Sequence, residues 1–130
     1  MSINDPLANV LSHILNCDKL GKEYCLITPK SKIIMQILVM LREQGMIGDY
    51  EQIEERHGGV IKVKLIGRIN KCGVIKPRYS FTKIELQKYE KRYLPGEDFG
   101  FLIVTTSKGL MTNKQSIEKK EGGKLLAYCY

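Results

Sequence analysis

A chain of 130 residues, 43% of them hydrophobic, can form one compact domain or two half-sized units, and this composition argues against disorder or a fibrous repeat. The longest apolar stretch, Ile33–Leu41, is too short to span a bilayer, and the first residues lack the plan of a signal peptide. The net charge of +7 is uneven, since residues 61–130 hold fifteen Lys and Arg against six Asp and Glu. We therefore expect a cytoplasmic chain with a polyanionic partner, the alternative being a solvated basic surface that aids solubility.

The first half of the chain predicts an α-β-α-β-β unit. Asp5 suits the N-cap of a first helix and Pro6 its first position. The second helix has apolar residues around most of its circumference, so we expect it to be largely buried. The predicted elements are a helix from Pro6, a strand over Tyr24–Thr28, a helix from Ser31 to Gln44 that stops at Gly45, and a hairpin of Tyr50–Glu54 with Val60–Leu65.

The second half predicts a β-rich unit with short helices, reached through a connector over residues 67–73. Pro77 should place its first strand at a sheet edge or a bulge, and Thr82 with Glu85 matches a capping box. The predicted elements are a strand over Val74–Phe81, a helix from Thr82 toward Tyr93, a strand over Phe99–Thr106, a turn at Ser107–Gly109, a short helix capped by Thr112–Asn113, and a closing strand over Lys124–Tyr130. The expected fold is α+β, with two small packed subdomains over residues 1–66 and 74–130.

Signatures of catalysis and of metal or cofactor binding are weak. Gly122-Gly123-Lys124 is similar to the end of a P-loop, but Leu125 stands where Ser or Thr is required. The four cysteines are scattered without a Cys-x-x-Cys pair and predict reduced thiols in or near the core: Cys17, Cys25, Cys72 and Cys129. We expect no enzyme, no metal, no cofactor and no small-molecule substrate.

One loop is a candidate for contact with RNA. Three successive hydroxyls are followed by an ammonium and a glycine: Thr105, Thr106, Ser107, Lys108 and Gly109. Hydroxyls donate and accept hydrogen bonds, so they suit phosphate oxygens and 2′-hydroxyls, while a glycine allows close approach of the backbone. An ordinary strand turn can have the same composition.

A second candidate lies at the start of the second predicted helix. Lys30, Ser31 and Lys32 place two cations and a hydroxyl where a helix N-terminus already favours phosphate. The alternative is a helix cap flanked by solvated lysines.

Several segments in order carry a resemblance to a known family. They are Asp5-Pro6-Leu7-Ala8, Pro29-Lys30-Ser31-Lys32, Asn70-Lys71-Cys72-Gly73-Val74-Ile75-Lys76-Pro77-Arg78, Thr105-Thr106-Ser107-Lys108-Gly109-Leu110-Met111, and Gly122-Gly123-Lys124 before a terminal aromatic strand. They occur in this order from one end of the chain to the other, so the resemblance covers essentially the whole chain. The sequence resembles the universal small-subunit ribosomal protein S8 family, and the Asn70–Arg78 segment is similar to its eukaryotic and archaeal branch.

The resemblance implies an RNA-binding structural component of the small ribosomal subunit. Such a protein grips a helix junction in the central domain of small-subunit ribosomal RNA and supports assembly and translation. Phosphate affinity is then expected from the lysines and arginines, and discrimination from the hydroxyl loop. The implied RNA-binding residues are Lys30, Ser31, Lys32, Lys71, Arg78, Thr105, Thr106, Ser107, Lys108, Gly109, Gly122, Gly123 and Lys124.

Two departures from the family pattern affect individual residues. Lys124 stands where bacterial members have an acid, so a phosphate contact is expected there instead of a carboxylate-to-base contact. Lys108 stands where many eukaryotic relatives have alanine.

The expected partners are small-subunit ribosomal RNA and neighbouring ribosomal proteins, with no membrane. The expected place is the cytosolic ribosome, with assembly in the nucleolus in a eukaryote. Two other classes of function remain open. One is a small phospholigand-binding enzyme or factor that uses the Thr105–Gly109 loop, and the other is a protein–protein adaptor that uses the acidic hairpin Asp49–Glu55.

Overall fold

The computed structural model describes residues 6–28, 32–54, 59–96 and 99–130, apart from the side chains of Glu54 and Lys83. Helices and antiparallel strands alternate along the chain, which confirms the α+β class. Within the described ranges, no helix has the length and apolar character needed to cross a membrane.

The chain divides into two compact units, Met1–Asn70 and Lys71–Tyr130. The division lies inside the connector expected over residues 67–73. The first unit has the predicted order of elements. They are α1 (Pro6–Lys19), β1 (Tyr24–Ile27), α2 (Lys32–Glu43), β2 (Ile47–Glu54) and β3 (Val60–Leu65).

The core of the first unit lies between its two helices and one face of its sheet. The strands are antiparallel in the order β1-β3-β2. Inward residues alternate along β3, where Ile61, Val63 and Leu65 are buried. The buried helical residues recur at three- and four-residue intervals: Leu7, Leu11 and Ile14 on α1, and Ile34, Ile37, Leu38 and Leu41 on α2. The opposite face of β3 carries Lys62 and Lys64, as the alternation in the sequence predicts.

The second unit is a five-stranded antiparallel sheet with two short helices. Its strands follow the order β4-β8-β6-β7, and β5 also pairs with β8. The elements are β4 (Cys72–Val74), β5 (Ser80–Phe81), α3 (Lys83–Tyr93), β6 (Phe101–Thr106), β7 (Gly109–Thr112), α4 (Asn113–Glu118) and β8 (Gly123–Cys129). Their core includes Ile75, Phe81, Leu86, Tyr89, Leu94, Leu102, Val104, Met111 and Leu125.

Two local predictions in this unit are wrong. The expected strand over Val74–Phe81 is two separate strands, because Pro77 has no N–H to donate to a ladder and interrupts the pairing with β8. The capping box expected at Thr82 does not form, since the Thr82 hydroxyl donates to the Glu85 carboxylate at 3.1 Å and makes no bond to the backbone.

A complete capping box is present one helix later. The Gln115 N–H donates to the Thr112 hydroxyl at 3.2 Å, and the Thr112 N–H donates to the Gln115 side-chain oxygen at 3.0 Å. This box begins α4 directly after β7. It therefore fixes the path of the chain that leads from the β6–β7 hairpin to β8.

Candidate RNA interface

The predicted hydroxyl loop is a tight turn between β6 and β7. Thr105 pairs with Leu110 and Thr106 with Gly109, so Ser107 and Lys108 form the two-residue connection. Gly109 has φ of +107°, a conformation that other residues rarely adopt. Ser107 and Lys108 are exposed at the tip.

The hydroxyl of Thr106 is committed to this turn. It donates to the Gly109 carbonyl at 3.0 Å and accepts from the Lys108 N–H at 3.1 Å. Because both bonds are made inside the hairpin, Thr106 holds the shape of the turn. Ser107 is then the better placed of the two hydroxyls to contact a ligand.

The sheet brings the paired glycines beside this turn. Gly123 pairs with Thr106 on one side and with Phe81 on the other, so β8 lies between β5 and β6 at this end of the sheet. A Cβ added at Gly123 would lie 2.1 Å from the Thr105 carbonyl oxygen, and one at Gly122 would lie 2.9 Å from the Phe81 carbonyl oxygen. Close strand packing therefore requires both glycines, whether or not RNA is bound.

A row of side chains crosses the sheet at the same level. Lys124 pairs with Ser80 of β5 and with Thr105 of β6. Directly opposed residues of antiparallel strands point to the same face of the sheet, so these three side chains are neighbours. Ser80 and Lys124 are exposed and Thr105 is half-buried, which identifies this face as solvent-accessible in the unit.

We call Ser80, Lys124, Thr105, Ser107 and Lys108 the sheet-end patch. It presents two ammonium groups and three hydroxyls within one end of a rigid sheet. Ammonium groups attract phosphates without regard to sequence, whereas hydroxyls can pair with 2′-hydroxyls and base edges in an RNA minor groove. The patch therefore has the chemistry to bind RNA by shape.

Glu121 lies against the tip of the hairpin. Its carboxylate forms a salt bridge of 3.0 Å with the Lys108 ammonium and accepts from the Ser107 hydroxyl at 3.4 Å. The Glu121 side chain is 21% exposed, compared with 63% for Lys108. In the free protein the Glu121 carboxylate thus occupies Lys108 and Ser107, two groups that could otherwise bind a phosphate.

The residues that follow α4 place Glu121 beside Ser107 and Lys108. The Lys120 N–H donates to the Ile117 carbonyl at 3.2 Å, and the Glu121 N–H donates to the Ser116 carbonyl at 3.0 Å. Lys120 has φ of +56°, the left-handed conformation with which helices commonly end. The chain therefore reverses at Lys120 and carries Glu121 back toward the turn.

The other predicted site residues are not all at this patch. Arg78 is exposed. The next residue, Tyr79, accepts a hydrogen bond from the Leu125 N–H at 2.9 Å, and Leu125 follows Lys124 on β8, so Arg78 lies near the patch. Lys71 pairs through its backbone with Tyr130 at the opposite end of β8. Over the seven residues of β8 this separation is roughly 20 Å, at about 3.3 Å per residue.

The predicted site at the second helix is described only in part. Lys30 and Ser31 lie outside the described residues. Lys32 is the first residue of α2 and is exposed. It belongs to the first unit and is a separate candidate from the sheet-end patch.

Sequence reasoning missed Ser80 and Glu121. Neither belongs to a motif. Ser80 reaches the site through the pairing of β5 with β8, and Glu121 reaches it because the chain reverses at Lys120. The alternation of Ser80 with the buried Phe81 was the available signal that Ser80 faces solvent.

The aromatic residues of the second unit contact one another. Tyr79 stacks on Tyr89 with ring centroids 5.5 Å apart, and Tyr93 stacks on Tyr128 at 5.7 Å. These contacts place the rings in or against the core, and the Arg92 guanidinium lies 5.5 Å from the centroids of Tyr79 and Tyr93. The hydroxyls and cations of the sheet-end patch are therefore the better candidates for RNA contact.

The sequence also agrees with one protein-family model. The family described as Ribosomal protein S8 matches residues 5–130, which include both compact units and every residue of the sheet-end patch. A match of this extent covers nearly the whole chain. The chain therefore belongs to the ribosomal protein S8 family, whose members are structural proteins of the small ribosomal subunit that bind ribosomal RNA.

Proposed function

We propose that this protein binds a helix junction in the central domain of small-subunit ribosomal RNA and supports assembly of that domain. The observation that carries the proposal is the convergence of the hydroxyl turn with Lys124 at one end of the sheet. Two segments of the family resemblance, Thr105–Met111 and Gly122–Lys124, are separated by ten residues in sequence and meet there. RNA would lie across the sheet-end patch.

The two kinds of group in the patch have different roles in this proposal. Lys108, Lys124 and the nearby Arg78 supply phosphate affinity that weakens with salt. Ser107 and Thr105 supply discrimination, because hydroxyls fixed on a rigid turn fit one groove geometry better than another. The remaining predicted RNA-binding residues, Lys30, Ser31, Lys32 and Lys71, are proposed as further RNA contacts outside the sheet-end patch.

The branch and the place of action are also proposals. The Asn70–Arg78 segment supports the eukaryotic and archaeal branch of the family. Action in the cytosolic ribosome, beside neighbouring small-subunit proteins, accords with family membership. In a eukaryote, assembly would take place in the nucleolus.

Two lysine variants at opposite ends of β8 test the site. Lys124→Ser removes a cation from the patch, and Lys71→Ser removes the same charge roughly 20 Å away. We expect Lys124→Ser to weaken binding to the junction RNA at least about fivefold more than Lys71→Ser does, from a difference on the order of 1 kcal/mol. Equal losses would mean that the patch has no special role and that general charge determines affinity.

A further inference from the structure

The scattered cysteines of the sequence predict no metal site, yet a group of three side chains in the first unit has the composition of one. His13 and Cys17 are on α1, and Cys25 is on β1. Their ligand atoms all lie within 4.8 Å of one another. The three residues belong to one unit and none of them is in the sheet-end patch, so metal binding by this group would not depend on RNA binding.

The fold explains why these residues meet. His13 and Cys17 are four residues apart on one helix, so their side chains lie on the same face. Cys25 occupies an inward position of β1, in the alternation of exposed and buried residues along that strand. Cys17 and Cys25 are 4% and 1% exposed, whereas His13 is exposed. The two thiols therefore lie on the buried side of the group, and the imidazole lies on its solvent-exposed side.

One pair of ligand atoms lies near the separation found in a tetrahedral site, and all three lie within 4.8 Å of one another. Zn–S bonds of about 2.3 Å and Zn–N bonds of about 2.0 Å imply ligand separations of about 3.6 Å for S···N and about 3.8 Å for S···S. The Cys17 Sγ lies 4.0 Å from each His13 ring nitrogen. Closure of that pair needs the S···N distance to shorten by about 0.4 Å and the ring to turn, because a sulfur equidistant from both nitrogens lies on the lone-pair axis of neither. An exposed imidazole can make this movement by rotation, and either nitrogen can become the ligand.

We propose that His13, Cys17 and Cys25 bind a borderline-soft divalent cation such as Zn²⁺, with a water molecule in the fourth position. Two thiolates and one imidazole suit Zn²⁺, whereas Mg²⁺ and Ca²⁺ require oxygen ligands. The exposed His13 provides the path by which the ion enters. The bound ion would tie the C-terminal half of α1 to β1.

The alternative is that the two thiols are simply core residues. Burial, and next the hydrogen bond with Cys17, raise the pKa of the Cys25 thiol to about 12, so the metal-free thiol is neutral and packs as a small apolar group. Neutral packing does not require His13, because that residue is exposed. The dependence of metal binding on His13 therefore distinguishes a site from ordinary packing.

Cobalt titration of the full chain tests the proposal. In the presence of a non-thiol reductant, Co²⁺ bound to thiolates gives a sulfur-to-metal charge-transfer absorption, and displacement of Co²⁺ by Zn²⁺ gives the zinc affinity. We expect one ion per chain. His13→Ala should weaken zinc binding at least about tenfold, since loss of even an indirect support costs about 10–100-fold.

Two further variants complete the experiment. Cys25→Ser should reduce the charge-transfer absorption, and Cys72→Ala, which changes a buried cysteine of the other unit, should leave zinc binding unchanged. His13 is exposed, so its variant keeps the fold and decides the question even if Cys25→Ser unfolds. The proposal is overturned if Co²⁺ gives no such absorption, if His13→Ala binds zinc as wild type does, or if Cys72→Ala abolishes binding.

Discussion

Glu121 should act as an internal competitor of RNA at the sheet-end patch. Its carboxylate holds Lys108 at 3.0 Å and Ser107 at 3.4 Å, so a phosphate that contacts Lys108 must displace or share these bonds. The substitution Glu121→Gln removes the negative charge and retains the size of the side chain. We therefore expect this variant to bind junction RNA more tightly than wild type.

The size of the effect follows from two contributions. An exposed salt bridge is worth about 0.2–1 kcal/mol, and Lys108 is 63% exposed. Without the salt bridge to Glu121, RNA no longer has to break it, which makes the binding free energy more favourable by a fraction of 1 kcal/mol. A carboxylate roughly 6 Å from a phosphate in water adds a repulsion of about 0.7 kcal/mol. The total is on the order of 1 kcal/mol, or about fivefold in affinity.

Filter binding over a range of salt concentrations measures both the affinity and its salt dependence. In Glu121→Gln, Lys108 is available to neutralise a phosphate, so the log–log slope should steepen by up to about 0.9. Glu118→Gln is the matched control, because Glu118 is an exposed acid on α4 and its loss changes the net charge equally. If Glu121→Gln binds RNA less tightly than Glu118→Gln, Glu121 is a contact or a support of the site and the competition is refuted.

Further predictions concern the turn and the end of α4. Thr106→Val should lower the free energy of unfolding by about 1 kcal/mol, because two hydrogen bonds of the turn are lost, whereas Ser107→Ala should lower RNA affinity with unchanged unfolding in urea. Equal effects of the two variants on stability would contradict this separation of roles. Lys120→Gly should raise the free energy of unfolding by about 0.5–1 kcal/mol, since glycine adopts φ of +56° without the cost that lysine pays there. Lys119→Gly is the control, because its φ of −85° suits lysine, and a similar gain there would argue against the explanation.

Much of the fold could be predicted because the signals are local. Pro6 at the first position of a helix and Gly45 after the second both act within one turn of chain. The first helix begins at the expected residue, and α2 has the expected bounds to within one residue. The alternation of Lys62 and Lys64 with apolar residues likewise predicts which face of β3 is buried. These patterns depend on the period of the element and not on its neighbours.

The errors arise where two local signals compete or where position in the sheet decides. Thr82 is followed three residues later by Glu85, and Thr112 by Gln115. Only in the second pair does each side chain bond to the backbone N–H of the other residue. The sequence predicts one strand over Val74–Phe81, and the missing N–H of Pro77 divides it into two.

The sheet-end patch could not be predicted, because it depends on the register of strand pairing, which no local sequence pattern specifies. The turn residues Thr105–Gly109 could be found from composition, but the position of Ser80 beside Lys124 depends on the pairing of β5 with β8. The contact of Glu121 with Lys108 depends in addition on the left-handed Lys120. Such contacts join segments that are more than ten residues apart, and no local pattern encodes them.

Recognition of RNA shape by the sheet-end patch is tested by a salt titration that compares binding to the RNA junction with binding to a plain RNA duplex of equal length. If about six phosphates are neutralised, the slope should be on the order of −5 for both RNAs. We expect the junction to bind much more tightly and to retain this advantage at moderate salt, and we expect Ser107→Ala to reduce the advantage. Equal binding of the two RNAs, lost together as salt rises, would contradict recognition of shape by the sheet-end patch.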